Sequence, residues 1–174
     1  MNKPMNSFAF RSMALMFKVR DLFNRPEKYL KEATITEGKI VLDYGCGPGS
    51  FVFPASEMVG NLGKIYAVDI HPTAIKMIDK KVKRKNITNI VTIQTDCATN
   101  LPNNYVDVVL LYDIIHMLNN IDEILTELTR ILKPEGILSV SNPHMKEENI
   151  ILKITNNNQF KLFNNGEKTF SFKK

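Results

Sequence analysis

The stretch Asp43-Tyr44-Gly45-Cys46-Gly47-Pro48-Gly49-Ser50 sets a carboxylate beside three alternating glycines, directly after the short apolar run Ile40, Val41 and Leu42. Such a run reads as a buried parallel strand. Glycines at 45 and 47 permit positive φ and remove the Cβ atoms that would keep a ligand off the backbone. A helix starting near Ser50 offers free N–H groups to a carboxylate or phosphate. The implied chemistry is close binding of a flat or charged ligand. Asp69, 24 residues after Gly45, ends the next apolar strand and is able to accept both hydroxyl protons of a ribose. Two nucleotide-like cofactors fit these features. The dinucleotide fingerprint G-x-G-x-x-G wants glycine or alanine where this chain has Ser50, so an NAD-dependent oxidoreductase is the minority reading.

Histidines are the other groups able to move protons here. His116 and His144 follow the fourth and fifth strands, at the sheet end where ligands bind, and are the candidates for a general base. His71 belongs to the cofactor side. Cys46 lies inside the glycine turn and Cys97 far from it, with no second pair to complete a metal ligand set, so neither a metal site nor a cysteine nucleophile is expected.

Positioning these groups takes an alternation of strands and helices. Residues 7 to 23 suit an amphipathic helix ending near Asn24 ahead of Pro26, and a shorter helix covers Glu27 to Ala33. The first strand is Lys39 to Asp43, followed by a helix from about Ser50 to Val59 and a strand from Lys64 to Ile70. A helix from Pro72 to about Lys83 leads to a strand from Asn89 to Thr95, and the fourth strand is Val106 to Tyr112. Ile121, Ile124, Leu125, Leu128, Ile131 and Leu132 recur at intervals of three and four, which predicts the next helix. Lys133-Pro134-Glu135-Gly136 should stop it before a fifth strand, Ile137 to Ser141. After a helix around Glu147 to Ile154, Phe160 to Asn164 and Lys168 to Phe172 flank Asn165-Gly166, a pair favouring a tight antiparallel hairpin through positive φ. The expected fold is α/β: five parallel strands extended by a C-terminal antiparallel hairpin.

A chain of 174 residues, 44% hydrophobic and 24% charged, fits one globular domain and excludes a disordered or membrane-embedded chain. No apolar run reaches the roughly 18 residues of a bilayer span, and the start of the chain lacks a cleavable signal pattern. An intracellular, cytoplasmic protein with free thiols is expected. The net charge of +5 draws on Lys80, Lys81, Lys83, Arg84 and Lys85, which read as a solvated helix end. Without interleaved arginines and aromatics, a nucleic-acid partner is disfavoured.

Beyond these local readings, five strings in order resemble the class I S-adenosylmethionine-dependent methyltransferases, in the small-molecule branch similar to ubiquinone and menaquinone biosynthesis enzymes. They are VLDYGCGPGS (41–50), AVDIHP (67–72), TDCATNLP (95–102), DVVLLYDIIHML (107–118) and RILKPEGILSV (130–140). The resemblance covers about residues 34 to 172. It implies a Rossmann-like doubly wound sheet of seven strands in the order 3-2-1-4-5-7-6, with helices on both faces. The cofactor implied is S-adenosylmethionine, with residues 34–174 as the domain that binds it. Asp43, Tyr44, Gly45, Cys46 and Gly47 would surround its methionine portion, Asp69 its ribose, and Ile70 its adenine. Asp96 would meet the adenine amino group, with a backbone contact from Cys97. Asp113 would lie near the reacting methyl group. The activity implied is methyl transfer to a small-molecule acceptor, mainly by positioning, with a noncatalytic cofactor-binding module as the alternative. Tyr112-Asp113-Ile114-Ile115 stands where amino-methylating DNA enzymes carry their Asn/Asp-Pro-Pro-Tyr/Phe motif, which removes support for base methylation. The helical segment 1–33 lies outside the resemblance, and Phe8, Met13, Met16 and Phe17 are the candidates to shape a lid over the acceptor site.

Overall fold

The computed structural model describes residues 5–174. Two helices come first, α1 (Ser7–Phe23) and α2 (Pro26–Glu32), followed by β1 (Ile40–Tyr44), α3 (Val52–Val59), β2 (Lys64–Asp69) and α4 (Pro72–Lys85). The chain continues through β3 (Ile90–Gln94), β4 (Val106–Tyr112), α5 (Ile121–Ile131), β5 (Leu132–Ser141) and α6 (Glu147–Thr155). It ends in the hairpin strands β6 (Lys161–Asn165) and β7 (Phe170–Lys173). All seven strands form one sheet in the order β3-β2-β1-β4-β5-β7-β6, the order expected. β1 to β5 run parallel, and β7 is antiparallel to both β5 and β6.

Alternate side chains of the central strands enter two separate cores, as the two-residue period of a strand requires. On one face Leu42, Tyr44, Val109 and Leu111 pack with Ile124, Leu125, Leu128 and Ile131 of α5 and Ile150 and Ile154 of α6. On the other, Val41, Ile65, Ala67, Val108 and Leu110 pack with Leu30 of α2, Val52 and Val59 of α3, and Ile78 of α4. Each fully buried side chain of this kind contributes about 1.5–3 kcal/mol. Helices therefore cover both faces, and the ends of β1, β2 and β4 remain free to carry ligand-binding groups.

Two local expectations are corrected. Lys133 to Gly136 are not a loop between helix and strand, because β5 begins at Leu132, immediately after α5. Val106 pairs with Leu132 and Val108 with Ile137, so Asp107 alone opposes the four intervening residues as a bulge. Leu132 is fully buried, and Lys133 Nζ binds Asp107 Oδ1 at 2.8 Å, which hold the bulge to β4. Pro134 is tolerated at such a bulge because it has no N–H to leave unpaired. The C-terminal turn also differs. Neither Asn165 nor Gly166 takes positive φ, and Asn165 pairs with Phe170, leaving a four-residue connection. Gly166 N–H donates to Thr169 O at 2.9 Å. The carboxylate of Glu32 accepts bonds from the N–H groups of Lys168 and Thr169 and from the Thr169 hydroxyl. A tertiary contact with α2 thus supports the wider turn.

Candidate functional site

At the C-terminal ends of β1, β2 and β4 lies a cavity of about 460 Å³, where a doubly wound sheet places its ligand. Its wall includes Asp43, Tyr44, Gly45, Cys46, Gly47, Asp69, Ile70, Asp96 and Asp113. Nine of the ten residues singled out from the sequence are therefore together. Cys97 is absent from the wall; it packs against the core, and its N–H bonds Thr95 Oγ1 at 3.3 Å.

The glycine turn is braced from within. Gly45 and Cys46 donate their N–H groups to Val68 O at 2.8 and 3.0 Å, and Gly47 N–H donates to Asp69 Oδ2 at 2.9 Å. These three turn donors are thus engaged with β2 and not free for a ligand. A Cβ on Gly45 would stand 2.7 Å from Ile114 Cγ1, whereas one on Gly47 would meet only open space. Both have positive φ, 76° and 52°. Gly45 is required by packing as well as conformation, and Gly47 by conformation alone.

Two carboxylate oxygens give the cavity its character. Asp43 is only 2% exposed, and its Oδ2 has no hydrogen-bond partner among the described residues. Burial, reinforced by the negative charge of Asp69, pushes its pKa up to about 7. Asp113 takes φ 56° after β4, its N–H held by Ser141 O at 2.7 Å. Its Oδ2 pairs with Arg20 Nη1 of α1 at 3.1 Å. His144 Nε2 lies 3.3 Å from Asp113 Oδ1, near enough to pair once charged but not aligned as a hydrogen bond, so this oxygen too lacks a hydrogen-bond partner. Unpartnered buried carboxylate oxygens favour a ligand that brings positive charge or donors. A pyrophosphate would meet these carboxylates with the turn's N–H groups already committed.

Asp69 is satisfied differently. Its Oδ1 accepts His71 N–H at 2.7 Å and its Oδ2 accepts Gly47 N–H, each oxygen keeping a further lone pair. Burial raises its pKa, opposed by these bonds and by the nearby His71. Tyr44 donates its hydroxyl to Asp96 O at 2.7 Å, tying the end of β1 to the loop after β3. Burial raises the Cys46 thiol, with Asp43 and Asp69 adding to the effect, so the thiolate needed for nucleophilic attack is suppressed.

Helix α1 closes one side with Phe10, Met13, Phe17 and Arg20. Met13 and Phe17 were expected there; Phe8 and Met16 point to solvent instead, because they lie on the opposite side of the helix. Phe10 packs on the His71 ring with centroids 4.3 Å apart, and His71 Nε2 lies 2.8 Å from Met5 O. Phe10 shares a face with Met13, Ala14 and Phe17, a spacing visible in the sequence. Arg20 and Asn142 carry no such local signal. Asn142 is buried and organises both histidines: its Oδ1 accepts His144 N–H at 3.0 Å, which turns Nδ2 toward His116 Nδ1 at 2.9 Å. His116 Nδ1 is therefore an acceptor, and the proton of its neutral ring sits on Nε2.

This arrangement has counterparts. A solved structure of an S-adenosylmethionine-dependent methyltransferase from Aquifex aeolicus superposes with a TM-score of 0.75 and 27% identity, covering 85% of this chain and 87% of that one. The demethylmenaquinone methyltransferase of Lactobacillus johnsonii is 29% identical over 144 residues, which are 80% of this chain and 57% of that protein. An aklanonic acid methyltransferase of a Streptomyces species is 39% identical over 62 residues, 36% of this chain and 28% of that protein. The chain spans about half the length of the demethylmenaquinone methyltransferases it matches. No helix among the described residues is long and apolar enough to cross a membrane. A family model described as a methyltransferase domain matches residues 35–170, from the loop before β1 into β7, and on that match and the seven-stranded order the chain belongs to the methyltransferase-domain family, in its class I, S-adenosylmethionine-dependent branch.

Proposed function

We propose that the protein transfers the methyl group of S-adenosylmethionine to a small, largely apolar acceptor, acting chiefly by positioning. The observation that carries the reading is the unpartnered Oδ2 of buried Asp43 beside a glycine turn whose N–H groups are already engaged. That combination suits an ammonium-bearing ligand and disfavours a dinucleotide. Asp43 would meet the ammonium group, and Tyr44, Gly45, Cys46 and Gly47 would shape the methionine side. The remaining lone pairs of Asp69 would take the ribose hydroxyls, with Ile70 and Asp96 toward the adenine.

When bound, S-adenosylmethionine supplies a methyl group already activated by a sulfonium. The chain's own task is then to orient the acceptor, exclude water and hold any proton the acceptor releases. Phe10, Met13 and Phe17 of α1 supply an apolar side to the cavity, joined by Met117 and Leu118 after β4. Those residues favour an apolar acceptor body, in keeping with relatives named for demethylmenaquinone and aklanonic acid. His144 is the better placed proton acceptor, because Asp113 faces its ring while His116 Nδ1 is held by Asn142. With both cysteines unpaired, we place the protein in the cytoplasm.

Calorimetric titration with S-adenosylhomocysteine, with NAD as the competing ligand, tests the reading. Micromolar binding of S-adenosylhomocysteine is expected, weakened by about 1–3 kcal/mol in Asp69→Ala. Folded wild-type protein that ignores S-adenosylhomocysteine and binds NAD would overturn it.

A further inference from the structure

Helix α1 carries apolar side chains on two opposite sides. Phe10, Met13, Ala14 and Phe17 face the cavity and the body of the protein. On the other side Phe8, Leu15, Val19 and Leu22 fall within about 60° of arc on a regular helix, bordered by Phe23 and Met16. All six are between 52% and 83% exposed. A helix that merely capped the cavity would turn charges outward here, and contiguous apolar surface of this kind marks an interaction face.

The charges beside the stripe share one sign. Arg11 and Lys18 lie along one flank and are exposed, whereas Asp21, the acidic residue of α1, is paired with Arg20 at 2.9 Å. α4 packs beside α1, with Thr73 Oγ1 donating to Ser7 Oγ at 3.1 Å, and carries the positive charge on from Lys18. The charge of Lys18, together with those of Lys85 and Arg84 and with burial as the largest cause, lowers the pKa of Lys81, against a partial offset from Glu57. Lys80, Lys83, Arg84 and Lys85 cluster on the same helix.

We propose that this face docks on an anionic lipid surface, with α1 lying in the plane of the interface, its outer apolar stripe among the acyl chains and the ridge of Lys18 and α4 against the headgroups. An apolar stripe flanked by cations is the pattern of an interfacial helix. A second copy of this chain would bring the same basic ridge, so a symmetric pairing through this face sets like charges together. The lipid surface supplies the missing negative charge. Docking also sets the far side of the cavity's α1 wall against the bilayer, the phase into which an apolar acceptor partitions. The docking itself stands apart from the methyl-transfer reading.

Co-sedimentation with vesicles tests it. Vesicles of equimolar phosphatidylglycerol and phosphatidylcholine should bind the wild type about tenfold or more tightly than phosphatidylcholine alone, with the difference shrinking at high salt. The double variants Leu15→Asp with Leu22→Asp, and Arg11→Glu with Lys18→Glu, should each lose about tenfold or more. Both should keep the wild-type melting temperature and S-adenosylhomocysteine affinity, since all four side chains are exposed. Wild type that stays in solution, or variants that bind unchanged, would overturn the proposal. A wild-type dimer that the Leu15→Asp, Leu22→Asp variant dissolves would overturn it in favour of a second copy. Vesicle binding by a protein that ignores S-adenosylhomocysteine would uphold the docking while removing the cofactor reading.

Discussion

Asp43 combines burial with an unpartnered oxygen, and this has consequences of opposite sign for stability and for binding. Its pKa moves from 3.8 to about 7, so the folded, ligand-free protein holds the proton more tightly than the unfolded chain. Stability contributed by that proton is present at low pH, is lost as pH rises through the window between the two values, and stays lost above about 7. Asp43→Asn removes the buried charge. Without ligand the variant should exceed the wild type by about 1–3 kcal/mol above pH 7, the gap closing toward pH 4, in melting curves at several pH values. The same variant should bind S-adenosylhomocysteine at least about tenfold more weakly, and wild-type affinity should fall as pH drops below about 7. A variant less stable above pH 7, or equal in affinity, would refute the role given to Asp43. His144→Gln belongs to the same scale. Turnover should drop by about 10²-fold or more with cofactor affinity unchanged, while His116→Gln should cost less. Equal losses in both would remove the distinction drawn from Asn142.

Between elements, the Glu32 carboxylate joins two parts of the chain more than 130 residues apart, accepting bonds from Lys168, Thr169 N–H and the Thr169 hydroxyl. Glu32→Ala leaves those donors without their acceptor and should cost about 1–3 kcal/mol in urea unfolding. A loss under about half a kcal/mol would mean that water replaces the carboxylate without penalty. The contact also explains where the sequence stopped being legible. Period-two and period-3.6 patterns located the α-helices and six of the seven strands to within a few residues, because each pattern is set by a local face and a local core; the start of β5 and the short 3-10 helix Ile115–Met117 escaped them. Asn165-Gly166 carried the local signal for a two-residue turn, yet the turn is wider and rests on a helix the local signal does not mention. Lys133 to Gly136 carried loop residues, yet they bulge from a strand because buried Leu132 already pairs with Val106. In the site, the glycine turn and Asp69 were legible from type and position along strands, and Asp113 only through the family resemblance. The pairing of Arg20 with Asp113 across 93 positions was not, nor was Asn142, since nothing in their neighbourhoods distinguishes them from ordinary surface residues.

For the molecule as a whole, stability and cavity closure are carried by different parts. The sheet and its two cores bury the great majority of apolar side chains, whereas α1 buries only Phe10 and Ala14. What else holds α1 is the partly buried pair of Arg20 with Asp113 and the contacts of Met5 and Ser7 with His71 and Thr73. A single partly exposed pair of that kind adds on the order of 1 kcal/mol, so α1 should open at a small fraction of the cost of unfolding the sheet. In hydrogen exchange its amides should exchange well before those of β1, β4 and β5. Bound S-adenosylhomocysteine, which on the proposed reading would share the cavity with Phe10, Met13 and Phe17, should slow α1 amides specifically. A chain lacking residues 1–24 should then keep a cooperative melt and bind S-adenosylhomocysteine within about tenfold of the full chain. Its turnover of an apolar acceptor should fall much further, because water enters where Phe10 and Phe17 stood. Undiminished turnover in that truncation would mean that α1 plays no part in enclosing the acceptor, and α1 amides as protected as those of β4 without ligand would mean that it is a fixed part of the wall and not its moving lid.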